Sequence, residues 1–155
     1  MTTLLAEVGP RSYVSVAVGT PGEFTPPVEW GSFACLLWDH GGGSSENDRA
    51  ALSKLLIDAG CRYAVCGGAC AAEWELAVDL EFVRRHLGQD PAVRDAEHVM
   101  TTAHAGEPPE DVAFFFVMCT NFDKHDFQQY LVLHIGRDHA VSFVDAAVRR
   151  AATER

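Results

Sequence analysis

Asp39-His40-Gly41-Gly42-Gly43-Ser44 sets a carboxylate, an imidazole, three glycines and a hydroxyl directly behind the apolar run Phe33–Trp38. Glycines let backbone amides come close to a ligand, and a helix starting just after the loop aims its amino end at the same place. That chemistry suits an anion, a phosphate or a carboxylate. The stretch is neither a P-loop nor a dinucleotide fingerprint, because it has no lysine and its glycines are contiguous. A flexible loop without a ligand explains the same residues.

Cys66 stands where a nucleophile would, at the end of the apolar run Cys61–Cys66 and before Gly67, Gly68 and a helix start that favours a thiolate. His40, His104 or His139 would then serve as its base, with Asp39 or Asp138 orienting the imidazole. The motif departs from known types: Cys66 and Cys70 are spaced C-x-x-x-C, and Ala72 stands where a phosphatase would need arginine. An inert buried thiol is the alternative. Asp39, His40, His104 and His139 together suit zinc by ligand type, yet no close ligand pair supports a metal, so none is expected. Glu73, Glu75 and Asp79 fall near a helix amino end, where acids favour the dipole.

These residues gain meaning from the elements around them. Tyr13–Val18 alternates as an edge strand would, and Gly19–Gly31, with three prolines and three glycines, is a loop. Phe33–Trp38 has the continuous apolar character of a strand covered on both faces. Ser45 with Asp48 three residues on marks a helix start, Leu52, Leu55, Leu56 and Ala59 continue it, and Gly60 ends it. Cys61–Cys66 is a second central strand. A long helix follows over Ala71–Leu87. It carries two apolar stripes: Leu76, Leu80, Val83 and Leu87, expected to face the core, and Trp74, Val78 and Phe82, expected under the N-terminal segment or at a subunit interface.

Glu97–Ala103 is a third central strand. Val112–Cys119 is rich in strand formers, but Pro108, Pro109, Glu110 and Asp111 before it form a helix-start signature, and parallel strands on either side require a crossover. It is therefore a helix. Thr120–Phe127 is a polar loop, Gln129–Ile135 the last strand, and a helix from Ala140 turns Val141, Val144 and Val148 inward, with Arg149 and Arg150 at its carboxyl end. The alternation of strands and helices implies a single α/β domain over residues 1–155: a three-layer αβα, doubly wound, Rossmann-like fold around a mostly parallel sheet of about five strands.

In such a sheet ligands bind beyond the carboxyl ends of the strands. Those ends gather Asp39, His40, Gly41, Gly42, Gly43 and Ser44, then Cys66, Gly67 and Gly68, then His104, then Arg137 and His139. Asn121, Asp123, His125 and Asp126 would lie at the opposite rim.

With 12 basic against 22 acidic side chains the net charge is −10. A field of that sign repels nucleic acid and anionic membrane surfaces and would suit a basic protein partner, although a solvated acidic surface is the readier account of it. The longest apolar run, Val112–Cys119, falls far short of the about 20 residues that span a bilayer, and the start lacks a leader's basic and apolar regions. Five cysteines in mostly apolar settings point to reduced thiols and the cytoplasm. Three functions follow: a non-catalytic or weakly catalytic domain binding an anionic or nucleotide-like small molecule; an acidic inhibitor or immunity-type protein masking a basic partner, with a homodimer through the Trp74 stripe as its variant; and a Cys66-dependent hydrolase or transferase. The cofactor stays open.

Overall fold

The computed structural model describes residues 2–26, 30–122 and 124–154. One sheet holds six strands: β1 Thr2–Val8, β2 Arg11–Val18, β3 Phe33–Asp39, β4 Cys61–Gly68, β5 Met100–His104 and β6 Gln129–Ile135. Their spatial order is β1-β2-β6-β3-β4-β5. All neighbours from β2 to β5 run parallel, and β1 alone is antiparallel, paired to β2.

Helices α1 Glu46–Ala59 and α2 Ala71–Arg85 cover one face of this sheet, and α4 Pro109–Met118 and α5 Ala140–Thr153 cover the other. A short α3, Pro91–Ala96, lies between α2 and β5. The alternation of side chains along β3 feeds both layers. Phe33, Cys35 and Leu37 pack with Leu52, Leu56, Trp74 and Val78 on one side. Ala34, Leu36 and Trp38 pack with Val112, Phe116, Val144 and Val148 on the other. Every residue of β3 is buried, as its unbroken apolar sequence requires.

The chain steps outward from β3 through β4 to β5 with α1 and α2 on one face. It then returns past both strands to β6 with α4 on the opposite face. Reversing direction moves the crossover helix to the other side when every crossover keeps one hand. β3 and β6 are thus adjacent and paired to their ends, while the loops beyond them depart to opposite layers.

Local signals explain most boundaries. Ser45 Oγ accepts from the Asp48 amide while Asp48 Oδ2 accepts from the Ser45 amide, closing the capping box at α1. Gly60 ends α1 at φ 115°, where a Cβ would lie 2.1 Å from the Gly31 carbonyl oxygen. Val112–Cys119 falls in helix α4 and its cap, and Pro109, Glu110 and Asp111 form that helix's first turn.

Four expectations change. Thr2–Val8 is a strand, so the sheet has six strands instead of about five, and β2 is interior to it and not an edge. Thr2, Thr3, Leu4 and Leu5 do not alternate, and the Gly9-Pro10 turn was the remaining hint of a hairpin. Residues 91–96 form α3, with Pro91 at its first turn, and β5 accordingly begins at Met100. α2 ends at Arg85, two residues before the expected Leu87.

The fourth change inverts α2. Trp74, Val78 and Phe82 are core residues, and Leu76, Leu80, Val83 and Leu87 are 53–73% exposed. The two stripes are similarly apolar, so periodicity cannot choose between them. The indole decides: Trp74 Nε1–H needs a buried acceptor and donates to Asp39 Oδ2 at 2.8 Å, which turns that face to the sheet. The Trp74 stripe is therefore no subunit interface. Among the described residues no helix is long and apolar enough to cross a membrane.

Candidate functional site

The tip of β3 divides the chemistry, because successive side chains on a strand point to opposite faces. Asp39 turns towards α2 and is 2% exposed. Its Oδ1 accepts from the amides of Gly41 at 3.0 Å and Gly42 at 2.8 Å, and its Oδ2 accepts from Trp74. Both oxygens serve the architecture: they curl the glycine loop back and pin α2. Two of the amides expected to greet an anion are thereby committed to Asp39.

His40 turns the other way, towards α5. Its Nε2 lies 2.8 Å from His134 Nδ1, and His134 Nε2 lies 2.8 Å from Asp145 Oδ1, which also accepts from Ser15 Oγ at 2.8 Å. His134 is fully buried, and its ring stacks on that of His40 with centroids 5.0 Å apart. Burial, and then the neighbouring His134, holds the pKa of His40 below its ordinary value, against the opposing pull of Asp138, Asp39 and Asp145. Three strands and helices contribute to this chain: β2 gives Ser15, β6 gives His134 and α5 gives Asp145.

Beside it, a cavity of about 310 Å³ opens between the tips of β3 and β6. Asp39, Gly41, Gly43, Ser44 and Asp48 form one wall, Ile135 and Gly136 the other, and Gly19, Thr20 and Pro21 from the β2–β3 connection close it; the His40 side chain, turned to the other face, is not part of the lining. A Cβ on Gly136 would sit 3.3 Å from His40 Cβ, so His40 stands directly behind Gly136, outside the cavity itself. Arg137 is held at the rim by Glu23, 2.9 Å away, and the Gly19 amide donates to the same carboxylate. Those two contacts also hold the Glu23 carboxyl below its usual range. A larger cavity of about 430 Å³ lies between α4 and α5, lined by Glu110, Phe114, Met118, Ala147, Arg150, Ala151 and Glu154. No residue of the strand tips lines it, and it holds no histidine, cysteine or aspartate.

The other expected residues scatter. Cys66 is fully buried in the α1/α2 layer, and burial there pushes its thiol well above the ordinary range. It is a core residue and not a nucleophile. Gly67 and Gly68 make room for Trp38: a Cβ at Gly67 would come 2.7 Å from the indole, and one at Gly68 2.4 Å from the Asp39 carbonyl oxygen. They are glycine for packing. His104 ends β5, two strands from β3, with its ring nitrogens on Glu107 and Thr102 and its ring against Phe115. His139 precedes α5 with an exposed side chain, 2.9 Å from Asp138.

Asp39, His40, His104 and His139 thus do not converge, and among the described residues no three His, Cys, Asp or Glu side chains form a metal-ligand group. At the opposite rim Asp126 pairs with Arg11, and Asp123 lies outside the described residues.

Sequence reasoning passed over His134, Asp145 and Ser15. Each is a polar residue on an otherwise inward face: His134 follows Tyr130 and Val132 at spacing two, Ser15 sits between Val14 and Val16, and Asp145 lies one turn past Val141. Each alone reads as an isolated polar substitution. Only their common layer joins them.

A family model described as "Domain of unknown function (DUF7684)" matches residues 12–151. No curated protein and no solved structure matches the chain.

Proposed function

We propose that this chain, which belongs to the DUF7684 family of domains of unknown function, binds a small polar molecule in the cleft between the tips of β3 and β6. The observation that carries the reading is the cavity of about 310 Å³ at the point where loops leave the sheet in opposite directions. Open α/β sheets bind ligands at such points because the loops part there and leave a crevice. The glycine loop and the amino end of α1 favour an anionic or nucleotide-like ligand in principle. Here the Gly41 and Gly42 amides serve Asp39, the Asp48 carboxylate lines the wall, and Arg137 is paired with Glu23. The electrostatics therefore favour a ligand that donates hydrogen bonds, one bearing hydroxyl or amino groups, over a phosphate.

A thermal-shift panel of hydroxylated and amino compounds beside nucleotides tests this. A ligand at one hundred times its Kd adds about 2.7 kcal/mol, which raises the Tm of a chain this size by about 5–10 °C. No shift with any compound at millimolar concentration removes the reading, and a shift with nucleotides alone reverses the ligand class.

The outward face of α2 favours a second reading, a protein that docks a partner. Leu76, Leu80, Val83 and Leu87 form an exposed apolar stripe on a chain of net charge −10, which favours a basic protein over a second copy. The five free cysteines fit a reducing cytoplasm as its setting. A pull-down lost on Leu80→Asp but kept on His40→Gln supports docking there, and the opposite pattern rejects it.

A further inference from the structure

We propose that Ser15, Asp145 and His134 form a relay that makes His40 a proton acceptor at the tip of β3, next to the β3–β6 cleft, and that the cleft's ligand reaches it past Gly136 with a hydroxyl. The ligand half of this rests on the binding reading above; the relay stands on its own geometry.

The direction of the chain follows from what each group can do. A carboxylate only accepts, so Asp145 Oδ1 takes hydrogens from both Ser15 Oγ and His134 Nε2. A neutral His134 with hydrogen on Nε2 has a bare Nδ1, which must accept. The hydrogen in its 2.8 Å contact therefore belongs to His40 Nε2. A neutral His40 with hydrogen on Nε2 has in turn a bare Nδ1. That nitrogen is the one nearer Cβ, and Cβ stands beside Gly136, a residue of the cavity wall, although the imidazole itself is not part of the lining. Among the described residues nothing is hydrogen-bonded to it. One carboxylate thus sets two tautomers and leaves a single lone pair beside the cleft.

Taking up a proton costs little rearrangement. As the ligand O–H bond breaks, its hydrogen forms a bond to His40 Nδ1, and the Nε2 hydrogen passes to His134 Nδ1. The positive charge then rests on His134, fully buried beside Asp145, and the oxygen keeps the electron pair. His134 and Asp145 are positioning residues here; only His40 meets the ligand. The groups facing His40 are His134 from β6, Asp145 from α5, Asp138 from the loop before α5, and Asp39 from its own strand. The three carboxylates pull His40 towards its charged form, against the larger effects of burial and His134 that hold its pKa below the ordinary value.

The relay is tested without any ligand. Long-range ¹H–¹⁵N spectra of the wild-type protein at pH 7 should show His40 and His134 each protonated on Nε2 and bare on Nδ1; the reverse tautomer at His40 overturns the proposal. Diethyl pyrocarbonate provides the second measurement. The His40 Nδ1 lone pair attacks its carbonyl carbon, ethyl carbonate leaves, and the Nε2 hydrogen departs along the relay. Asp145→Asn should slow modification of His40 about tenfold, the scale of losing a carboxylate behind a histidine, and lower the pH midpoint of its profile. Exposed His139 should keep its rate. Equal His40 rates in both proteins overturn the relay whatever the thermal-shift panel shows, and an empty panel with these results intact rejects only the ligand.

Discussion

Asp39 and Asp145 are carboxylates on opposite sides of the same sheet, both close to the tip of β3, and they are used in opposite ways. Asp39 is enclosed in the α1/α2 layer with both oxygens occupied by donors of its own chain. Asp145 accepts both of its contacts on Oδ1, and one of these leads out through His134 to His40. A carboxylate with both oxygens committed to backbone and indole holds a loop in shape. One that backs a histidine chain lends its charge to a group at the surface. Charge and burial alone do not separate these roles; the destination of each hydrogen bond does.

Substituting asparagine at both places sharpens the contrast, because an amide keeps one acceptor oxygen and replaces the other with donors. Asp39→Asn should cost about 2–3 kcal/mol, since its amide nitrogen must face either Trp74 Nε1–H or the glycine amides. Urea unfolding measures this, and adding Trp74→Phe should recover part of the loss through a coupling of about 0.5–3 kcal/mol. Asp145→Asn should cost about 1 kcal/mol or less, because one carbonyl oxygen can accept from both Ser15 and His134. Equal losses at the two sites would break the comparison.

The smallest effect concerns pH. The unfolded chain takes up a proton at His40 near pH 6.5. The folded chain, with that pKa lowered, does so only at a lower pH. The unfolded state therefore binds more protons in between, and His40 makes stability fall as pH drops from about 6.5 to the folded value, with no further change below it. His40→Gln should flatten that part of the profile of urea midpoints between pH 7.5 and 5. An unchanged slope would place the acid sensitivity on other groups.

Much of this fold is legible in residue order. The unbroken apolar run of β3, the capping box at Ser45 and the proline-acid start of α4 each state their element locally, and together they imply parallel strands with helical crossovers. The same local logic failed where two answers were equally apolar, as on α2, or where a short segment lacked alternation, as in β1. The site divides along the same line. Asp39, His40 and the glycines announce themselves because loop residues at strand ends carry their signal in sequence. Cys66 has the right place in the chain and the wrong side of the sheet.

The chain by itself determined most of the strands and helices, that most strands run parallel, and that polar groups gather at their tips, because those properties depend on neighbours a few residues apart. Only the tertiary structure decided that Asp39 is spent on Trp74, that Gly67 and Gly68 exist for Trp38, and that Ser15, His134 and Asp145 stand behind His40. These pairings join residues from 11 to 130 positions apart. Such contacts arise from the strand order β2-β6-β3-β4, which brings β6 between β2 and β3 although it is the last strand in the sequence.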